Sequence, residues 1–491
     1  MRLRLVLLIA ACCLKSTVAS APTVQTVYGK VQGEYTDTAQ VFRSVPYAEP
    51  PIGALRWDDP RPPTPWQDVK LTTANPPGCP QSVPCGLPLS SFLCPPVIQE
   101  DCLYLNVFTP LDAMPGSNYP VMFFIHGGNF LRGYSGGQLY DGQYIANTTS
   151  TVVVTANYRL GAIGYLVYGD SLKGNYGLKD QRLALEWVRD NIANFGGNPY
   201  LVTYWGQSAG AISGAVHMTS IKSAGLFHRA ILESEPFGIT LKNIPDAQKL
   251  GNDFAMALGC NDITCLYSKN ITEIAAAEDA VLSKIVDLFH ALEIFLQWTP
   301  VVDGVEVLGQ PFELFSAGEA APLPVIIGTT SQESTFFIYE AFPKSLSDLT
   351  YHLLIAGVYG VGHYDAVLSR YPSNDEDDRP IASSLGFSFC EGQSCHGAEL
   401  PYVFHTDISL LGFNYTSDEL TMSSSMVQYW TNFAHYGNPN GVHDPTDLLQ
   451  WPAFDGSSQA QTMRFKTPLS DVLIGYYGDT CNFWDGIGFN V

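Results

Sequence analysis

Charged residues are scarce in this chain, and basic residues are the scarcer kind. Charged residues make up 15% of the 491 residues, and 25 Lys and Arg stand against 47 Asp and Glu, so the formal net charge is −22. A surface this acidic repels phosphate backbones and anionic lipids, so we expect no nucleic acid partner. Hydrophobic residues reach 46%, which excludes a disordered, solvating chain.

Long apolar segments are also lacking, apart from the N-terminus. A basic start at residues 2–4 precedes an apolar run at 5–14 that is too short to span a bilayer, and small residues follow at 18–20. This order is typical of a secretory signal peptide at residues 1–20, with an N-terminal anchor helix as the alternative. The C-terminus carries no hydrophobic anchoring tail. We therefore expect a secreted, extracellular product without a transmembrane anchor.

Cysteine and histidine show no compact metal-ligand spacing, so we expect no metal. We also expect no cofactor. Losing Cys12 and Cys13 with the signal leaves nine of the 11 cysteines, in an oxidising compartment that favours disulfides. Sequence alone leaves the connectivity open, but pairs that are close along the chain cost the least loop-closure entropy. The predicted local pairs, which leave Cys481 over, are Cys79–Cys102, Cys85–Cys94, Cys260–Cys265 and Cys390–Cys395. Glycosylation sequons begin at Asn147, Asn270 and Asn414.

Four short runs of β-branched and aromatic residues favour strands that are buried on both faces. They lie at residues 121–125, 152–155, 202–205 and 325–328. Such runs are typical of a parallel sheet covered by helices. Between the second and third runs, residues 178–192 have the apolar period of a helix, which Gly196 and Gly197 end. This order predicts an α/β crossover, and the lack of repeats and linkers predicts one large α/β domain over residues 21–491.

Two G-x-S-x-G patterns compete as the nucleophile of a hydrolase. The pattern Gly133-Tyr-Ser135-Gly-Gly137 lies between loops. The pattern Gly206-Gln-Ser208-Ala-Gly210 follows the predicted strand at 202–205 and precedes a small-residue stretch suited to a tightly packed helix. Strand, sharp turn and helix form the context that a nucleophile elbow requires. We therefore predict Ser208 as the nucleophile and a loop position for Ser135.

A glycine-rich turn follows the predicted strand at 121–125. In His126-Gly-Gly-Asn-Phe130, backbone N–H groups can point at a developing oxyanion. The predicted oxyanion hole consists of the N–H groups of Gly128, Asn129 and Ala209. The alternative is an ordinary turn at the end of a strand.

With these residues in place, the chain resembles the type-B carboxylesterase/cholinesterase family. The resemblance runs from about residue 27 to the end, and its landmarks are residues 42–56, 100–108, 157–161, 174–178, 194–199, 206–210 and 429–434. It implies an α/β-hydrolase fold, in which a central, mostly parallel sheet is flanked by helices, with inserted helices and loops around an active-site gorge. It also implies the disulfides Cys79–Cys102 and Cys260–Cys265 and the structural ion pairs Arg56–Glu100 and Arg159–Asp180.

The resemblance assigns the remaining members of a catalytic triad. Residues 328–337 resemble the family's acid segment, with Glu333 as the acid, and residues 395–404 resemble its histidine segment, with His396 as the base. The chain order Ser208, Glu333, His396 is the order that α/β-hydrolases use. His396 would take the Ser208 proton, while Glu333 would fix the imidazole tautomer and stabilise the imidazolium.

The chain departs from the family pattern at several positions. Asn129 stands where many members have a third glycine, Ser334 replaces the glycine after the acid, and Gln207 replaces an acidic residue beside the nucleophile. The stretch between the predicted acid and base is shorter than in the cholinesterases. The loop closed by Cys79–Cys102 contains no Trp to hold a quaternary ammonium, so we do not expect choline specificity.

The leading hypothesis for function is a secreted serine hydrolase that cleaves small-molecule or lipid carboxylic esters through an acyl-enzyme. A second hypothesis is a lipase acting on long acyl chains, with the loop between Cys79 and Cys102 as its lid. A third is a non-catalytic adhesion or storage protein like the neuroligins. That branch loses the nucleophile, whereas Ser208 is present here.

Overall fold

The structure, a computed structural model, describes residues 21–81, 90–282, 296–333, 348–372, 394–409, 412–442, 448–457, 459–476 and 478–487. The predicted signal peptide at residues 1–20 lies outside these ranges. Within them, no helix combines the length and the apolar character needed to cross a membrane.

The strands and helices alternate through most of the chain. The strands are β1 (Thr23–Gln25), β2 (Lys30–Gln32), β3 (Glu34–Tyr35), β4 (Ala39–Pro46), β5 (Lys70–Leu71), β6 (Tyr104–Pro110), β7 (Tyr119–Ile125), β8 (Val152–Ala156), β9 (Val167–Tyr168), β10 (Leu172–Lys173), β11 (Gly197–Gln207), β12 (Arg229–Glu233), β13 (Lys242–Asn243), β14 (Val301–Val302), β15 (Val325–Gly328), β16 (Gln461–Arg464) and β17 (Asp471–Ile474). The helices are α1 (Ser90–Leu93), α2 (Gln143–Thr149), α3 (Gly161–Tyr165), α4 (Tyr176–Asn191), α5 (Ala209–Thr219), α6 (Ile244–Ala257), α7 (Ile263–Ser268), α8 (Ile271–Leu282), α9 (Pro311–Ser316), α10 (Asp348–Tyr359), α11 (Tyr364–Arg370), α12 (Leu400–Val403), α13 (Ser417–Tyr436) and α14 (Gly478–Gly486).

An eight-stranded mixed sheet forms the centre of the fold. Its strand order is β15-β12-β11-β7-β8-β6-β4-β3, and the first five of these strands pair in parallel. The remaining pairs, from β8 to β3, are antiparallel. The four apolar runs predicted as strands are β7, β8, β11 and β15. The predicted α/β fold with a mostly parallel sheet is therefore confirmed.

Both faces of the sheet are buried at its central strands, because alternate side chains of these strands enter two different cores. The prediction of burial on both faces is wrong for β15, because this strand lies at the edge of the sheet and its Ile327 is 54% exposed. In β7, Val121 and Phe123 pack into the core that contains α4 and α5. Met122 and Phe124 pack into the core that contains α2 and α13. Continuous apolar runs follow from this arrangement, since a strand covered on both faces has no solvent side.

The helix predicted at residues 178–192 is α4, which begins two residues earlier, at Tyr176. It continues as a 3₁₀ turn at Ile192–Phe195 and ends at Gly196, whose φ of 88° is a left-handed conformation that favours glycine. This helix connects β8 to β11, two strands of the same parallel set.

Two ion pairs fasten the loops that precede and follow the sheet strands. Arg56 pairs with Glu100, and Arg159 pairs with Asp180, as the family resemblance implied. The second pair is bidentate, with distances of 2.7 and 2.8 Å, and both side chains are 0% exposed. Arg159 also donates to the carbonyl oxygens of Arg56 and Asp58, at 3.1 and 2.8 Å. The buried guanidinium therefore has a protein acceptor on each side.

Removal of the Asp180 charge should destabilise the protein strongly. The variant Asp180→Asn leaves the Arg159 guanidinium buried without its counter-ion, and breaking a buried pair in this way costs about 3–5 kcal/mol of unfolding free energy. The matched control is Arg61→Gln, which removes an exposed pair with Asp58 and should cost less than about 1 kcal/mol. Urea denaturation measures both. Equal, small losses would contradict this account of the ion pair.

Candidate active site

Four parallel strands end at the same edge of the sheet. The register aligns Gln207 of β11 with Glu233 of β12, and Glu233 with Gly328 of β15. On the other side of β11, Gly206 aligns with Ile125 of β7. The residues that follow these strands include the predicted nucleophile, the predicted acid and the predicted oxyanion loop. Strand register alone therefore brings distant parts of the chain to one edge.

The turn at Ser208 has the geometry of a nucleophile elbow. Ser208 has φ 56° and ψ −121°, a conformation that side-chain-bearing residues rarely adopt. Its N–H donates to the Glu233 carbonyl oxygen at 2.8 Å, and Ser208 is only 5% exposed. A Cβ on Gly206 would overlap the carbonyl of Gly210, and one on Gly210 would overlap the carbonyl of Ile125. Glycine is therefore required on both sides of the serine. The competing Ser135 lies in a loop and is buried.

Glu333 and His396 are in direct contact. His396 Nδ1 lies 2.6 Å from Glu333 Oε2, and the two loops also pair through the Gln332 N–H, which donates to the Ser394 carbonyl at 3.0 Å. The structure therefore brings the predicted acid and the predicted base together, although 62 residues separate them along the chain.

The second oxygen of Glu333 accepts three hydrogen bonds. The donors are the Ser234 hydroxyl at 2.6 Å, the Thr329 hydroxyl at 2.8 Å and the Thr330 N–H at 2.6 Å. Burial alone would raise the pKa of Glu333, but the hydrogen bond and charge of His396, with the donors on the other oxygen, lower it to about 2. The carboxylate is therefore ionised and can only accept a hydrogen bond, so the imidazole nitrogen that contacts it carries a proton.

The side chain of Gln207 lies against the imidazole on its other side. The distance between Gln207 Nε2 and His396 Nε2 is 3.1 Å. Among the described residues, the Ser208 hydroxyl makes no hydrogen bond to His396. The predicted base His396 is therefore in contact with the side-chain amide of Gln207, the residue directly before Ser208, and not with Ser208 itself.

The predicted oxyanion loop follows β7 and lies beside the serine. Gly128 and Asn129 have φ values of 109° and 57°. A Cβ on Gly127 would lie 2.9 Å from the Ser208 Cβ, so the loop approaches the elbow closely only because residue 127 is glycine. Within the described part of the chain, the N–H groups of Gly128, Asn129 and Ala209 make no hydrogen bond. Ala209 is the first residue of α5, where helical N–H groups have no acceptor within the helix and attract negative charge.

Two further carboxylic acids are buried near this edge. Glu233 Oε1 accepts hydrogen bonds from the indole N–H groups of Trp205 and Trp430, at 2.9 and 2.7 Å. Burial raises the pKa of Glu233 to about 7, against the lowering effect of these two donors. Glu399, three residues after His396, is also buried, and burial with the nearby charge of Glu233 raises its pKa well above the ordinary range. Both acids therefore favour the protonated form.

Sequence reasoning missed four of these residues: Ser234, Thr329, Glu233 and Glu399. The sequence does contain a signal for Glu233 and Ser234, since a short apolar run, Ile231 and Leu232, directly precedes them. That run is too short for its period to distinguish a strand from a helix. Nothing in the local sequence marks Thr329 or Glu399.

The cysteine predictions fall partly on described residues. The structure contains the disulfides Cys79–Cys102 and Cys260–Cys265. Cys94 and Cys395 are also disulfide-bonded, while the partners predicted for them, Cys85 and Cys390, lie outside the described residues. Cys481 is an exposed free thiol. The three sequon residues are all exposed, namely Asn147, Asn270 and Asn414.

Comparison with known proteins gives consistent matches over nearly the whole chain. The family model described as the carboxylesterase family matches residues 20–356 and 363–484. The "Crystal protein" of Dictyostelium discoideum is 36% identical, over 94% of this chain and 90% of the relative. Carboxylesterase 1D of Rattus norvegicus is 33% identical, over 91% of this chain and 90% of the relative. A solved structure, a thermophilic PNB esterase, has a TM-score of 0.80 at 28% identity and covers 94% of this chain and 100% of its own.

The buried acid Glu233 should make the protein less stable as the pH rises from about 4.5 to about 7. In this window the folded state keeps a proton that the unfolded state has lost, so the free energy of unfolding falls with pH. The variant Glu233→Gln should make the slope less negative by up to about 1.4 kcal/mol per pH unit. Urea denaturation at a series of pH values measures this slope.

The control for this experiment is Glu319→Gln, which neutralises an exposed carboxylate. Its slope gives the effect of removing one surface carboxylate, with which the slope of Glu233→Gln is compared. An unchanged slope in Glu233→Gln would show that Glu233 does not carry a proton in the folded state.

Proposed function

The chain belongs to the carboxylesterase family of carboxylic ester hydrolases, and from that premise we propose that it is a secreted serine hydrolase with Ser208 as its nucleophile. One α/β-hydrolase domain over residues 21–491 carries the reaction, with Glu333 as the acid and His396 as the base. The observation that carries this proposal is the 2.6 Å contact between His396 and Glu333, at the sheet edge where Ser208 forms the elbow.

Acylation of Ser208 involves two proton transfers and forms the acyl-enzyme. His396 Nε2 takes the Oγ proton of Ser208 as Oγ bonds to the ester carbonyl carbon. Because Glu333 is ionised and bonded to Nδ1, the neutral imidazole carries its proton on Nδ1 and has its lone pair on Nε2. After the transfer, the same carboxylate stabilises the imidazolium. The protonated Nε2 then gives its proton to the leaving alcohol as the carbon–oxygen bond breaks.

The carbonyl oxygen gains negative charge in this step and needs hydrogen-bond donors. The N–H groups of Gly128, Asn129 and Ala209 supply them, and no other group among the described residues uses these donors. Asn129 stands where many family members have a glycine, and its backbone N–H is still available as a donor. The N-terminus of α5 adds a favourable dipole at the same point.

Water completes the cycle. His396 takes a proton from a water molecule, the hydroxide oxygen adds to the acyl carbon, and collapse of the adduct returns the proton to Ser208 Oγ and releases the carboxylic acid. The reaction uses no cofactor and no metal. Its substrates are small-molecule or lipid esters.

Replacement of the nucleophile should abolish ester hydrolysis. In Ser208→Ala, kcat for a nitrophenyl ester should fall by at least about 10⁴-fold, because proton transfer to His396 and covalent catalysis are lost together. The matched control is Ser135→Ala, which changes the other G-x-S-x-G serine and should keep the unmodified kcat. A Ser208→Ala protein that is folded and still active would contradict the assignment.

The same assay separates the alternatives for substrate and role. Comparison of acetyl and long-chain nitrophenyl esters, with and without micelles, distinguishes an esterase from a lipase that needs an interface. A folded protein that hydrolyses no ester and is not labelled at Ser208 by an organophosphate would instead support the adhesion or storage alternative.

Secretion is supported by the N-terminal sequence, by the disulfides and by the exposure of all three sequons. Expression in a secretory eukaryotic host should give a protein in the medium whose first residue is close to Ala21. Deglycosylation should reduce its mass, since Asn147, Asn270 and Asn414 are accessible to the modifying enzyme. N-terminal sequencing and mass spectrometry measure both results. A cell-retained protein that begins at Met1 would contradict secretion.

A further inference from the structure

The side chain of Gln207 is placed between the base and the oxyanion loop. Gln207 is 4% exposed, and its amide nitrogen lies 3.1 Å from His396 Nε2. Its amide oxygen packs against the turn, since a Cβ on Gly127 would lie 2.6 Å from that oxygen. The backbone of Gln207 is fixed by its parallel pairing with Glu233. On the Gln207 side of the contact, a rotation of the side chain is therefore needed to separate the amide from the imidazole.

The proton positions at His396 determine the direction of this contact. The ionised Glu333 carboxylate can only accept, so the imidazole Nδ1 carries the ring proton. In the neutral ring, Nε2 then has a lone pair and accepts the N–H of the Gln207 amide. This lone pair is the one that must receive the Ser208 proton.

The contact therefore competes with activation of the nucleophile. Among the described residues, Ser208 Oγ has no hydrogen bond to His396, while the Gln207 amide does. A single lone pair cannot accept fully from both donors. The amide N–H···Nε2 bond must be exchanged for an Oγ–H···Nε2 bond before the proton moves.

We propose that Gln207 is a positioning residue that holds His396 in a resting arrangement and slows the activation of Ser208. This inference rests on the proposed serine-hydrolase function. It adds an interaction that slows the first proton transfer, which we call the brake. Once His396 has taken the proton from Ser208, both ring nitrogens carry hydrogen and the amide can no longer donate to the ring.

Two substitutions at this position test the brake. Gln207→Met has a similar length and no N–H, and Gln207→Leu also lacks the N–H and adds no charge. Both should react faster with a small fluorophosphonate at Ser208, by about two- to tenfold, the size of one neutral hydrogen bond. In Gln207→Met, the ¹⁵N resonance of His396 Nε2 should also change, because its lone pair then either has no donor or accepts from the Ser208 hydroxyl instead of the amide.

The matched control is Gln181→Met. Gln181 is likewise buried, and its amide oxygen lies 3.1 Å from Nε2 of His217, a histidine that is not part of the proposed triad. This variant should keep the unmodified rate of labelling and the unmodified His396 resonance. It controls for the general effect of removing a buried amide from a histidine.

The outcomes separate the brake from the function on which it rests. If the unmodified protein is not labelled at Ser208, the proposed function fails, and the His396 resonance still reports whether Gln207 donates to the ring. If Ser208 is labelled, but both Gln207 variants react at the unmodified rate or more slowly, the brake is wrong. An unchanged His396 resonance in Gln207→Met would also overturn it, because the contact would then be absent in solution.

Discussion

The parallel register of β7, β11, β12 and β15 is the constraint on which the proposed active site depends. It places the ends of four strands side by side, so that the turns following them meet at one edge of the sheet. In β7, β11 and β12, a slip of one residue would move each buried side chain from one apolar core into the other, which is packed with different side chains. The hydrophobic cores therefore fix the register, and the register fixes the positions of Ser208, Ser234 and Glu333.

Three carboxylic acids near this edge have different protonation states because they have different donors. Glu333 receives hydrogen bonds from His396, two hydroxyl groups and one backbone N–H, and it is ionised. Glu233 has two indole donors on one oxygen, and its other oxygen has no partner among the described residues. Both oxygens of Glu399 lack a partner within the same ranges. Burial acts to raise the pKa of all three acids, and only at Glu333 do the donors and the charge of His396 outweigh it and lower the pKa, so Glu333 is the acid that can stabilise an imidazolium.

Much of this arrangement could be predicted from the sequence, because the relevant signals are local. Apolar runs identified β7, β8, β11 and β15, and the local pattern identified the sharp turn between strand and helix at Ser208 and the loop at Ser135. The glycine-rich turn after β7 identified the loop at Gly128. Each of these features depends on residues that are neighbours along the chain, so that period, composition and turn chemistry suffice.

The rest depends on contacts between distant segments. No local pattern links Glu333 to His396, which is why only the family resemblance assigned them. β12 is short and has charged residues at both ends, so its apolar centre was not recognised as a strand. The contact of Gln207 with His396 was also unforeseen. The sequence revealed that an amide replaces an acid there, but the partner of that amide depends on where the histidine loop lies.

The most direct test of the account is a crystal structure of the protein after reaction with a small fluorophosphonate. The account predicts a phosphorus–oxygen bond at Ser208, with the phosphoryl oxygen about 3 Å from the N–H groups of Gly128, Asn129 and Ala209. His396 Nε2 should face Ser208 Oγ, with Nδ1 still bonded to Glu333. A covalent adduct on another residue, or a His396 ring too far from Ser208 to exchange a proton, would contradict the central claim.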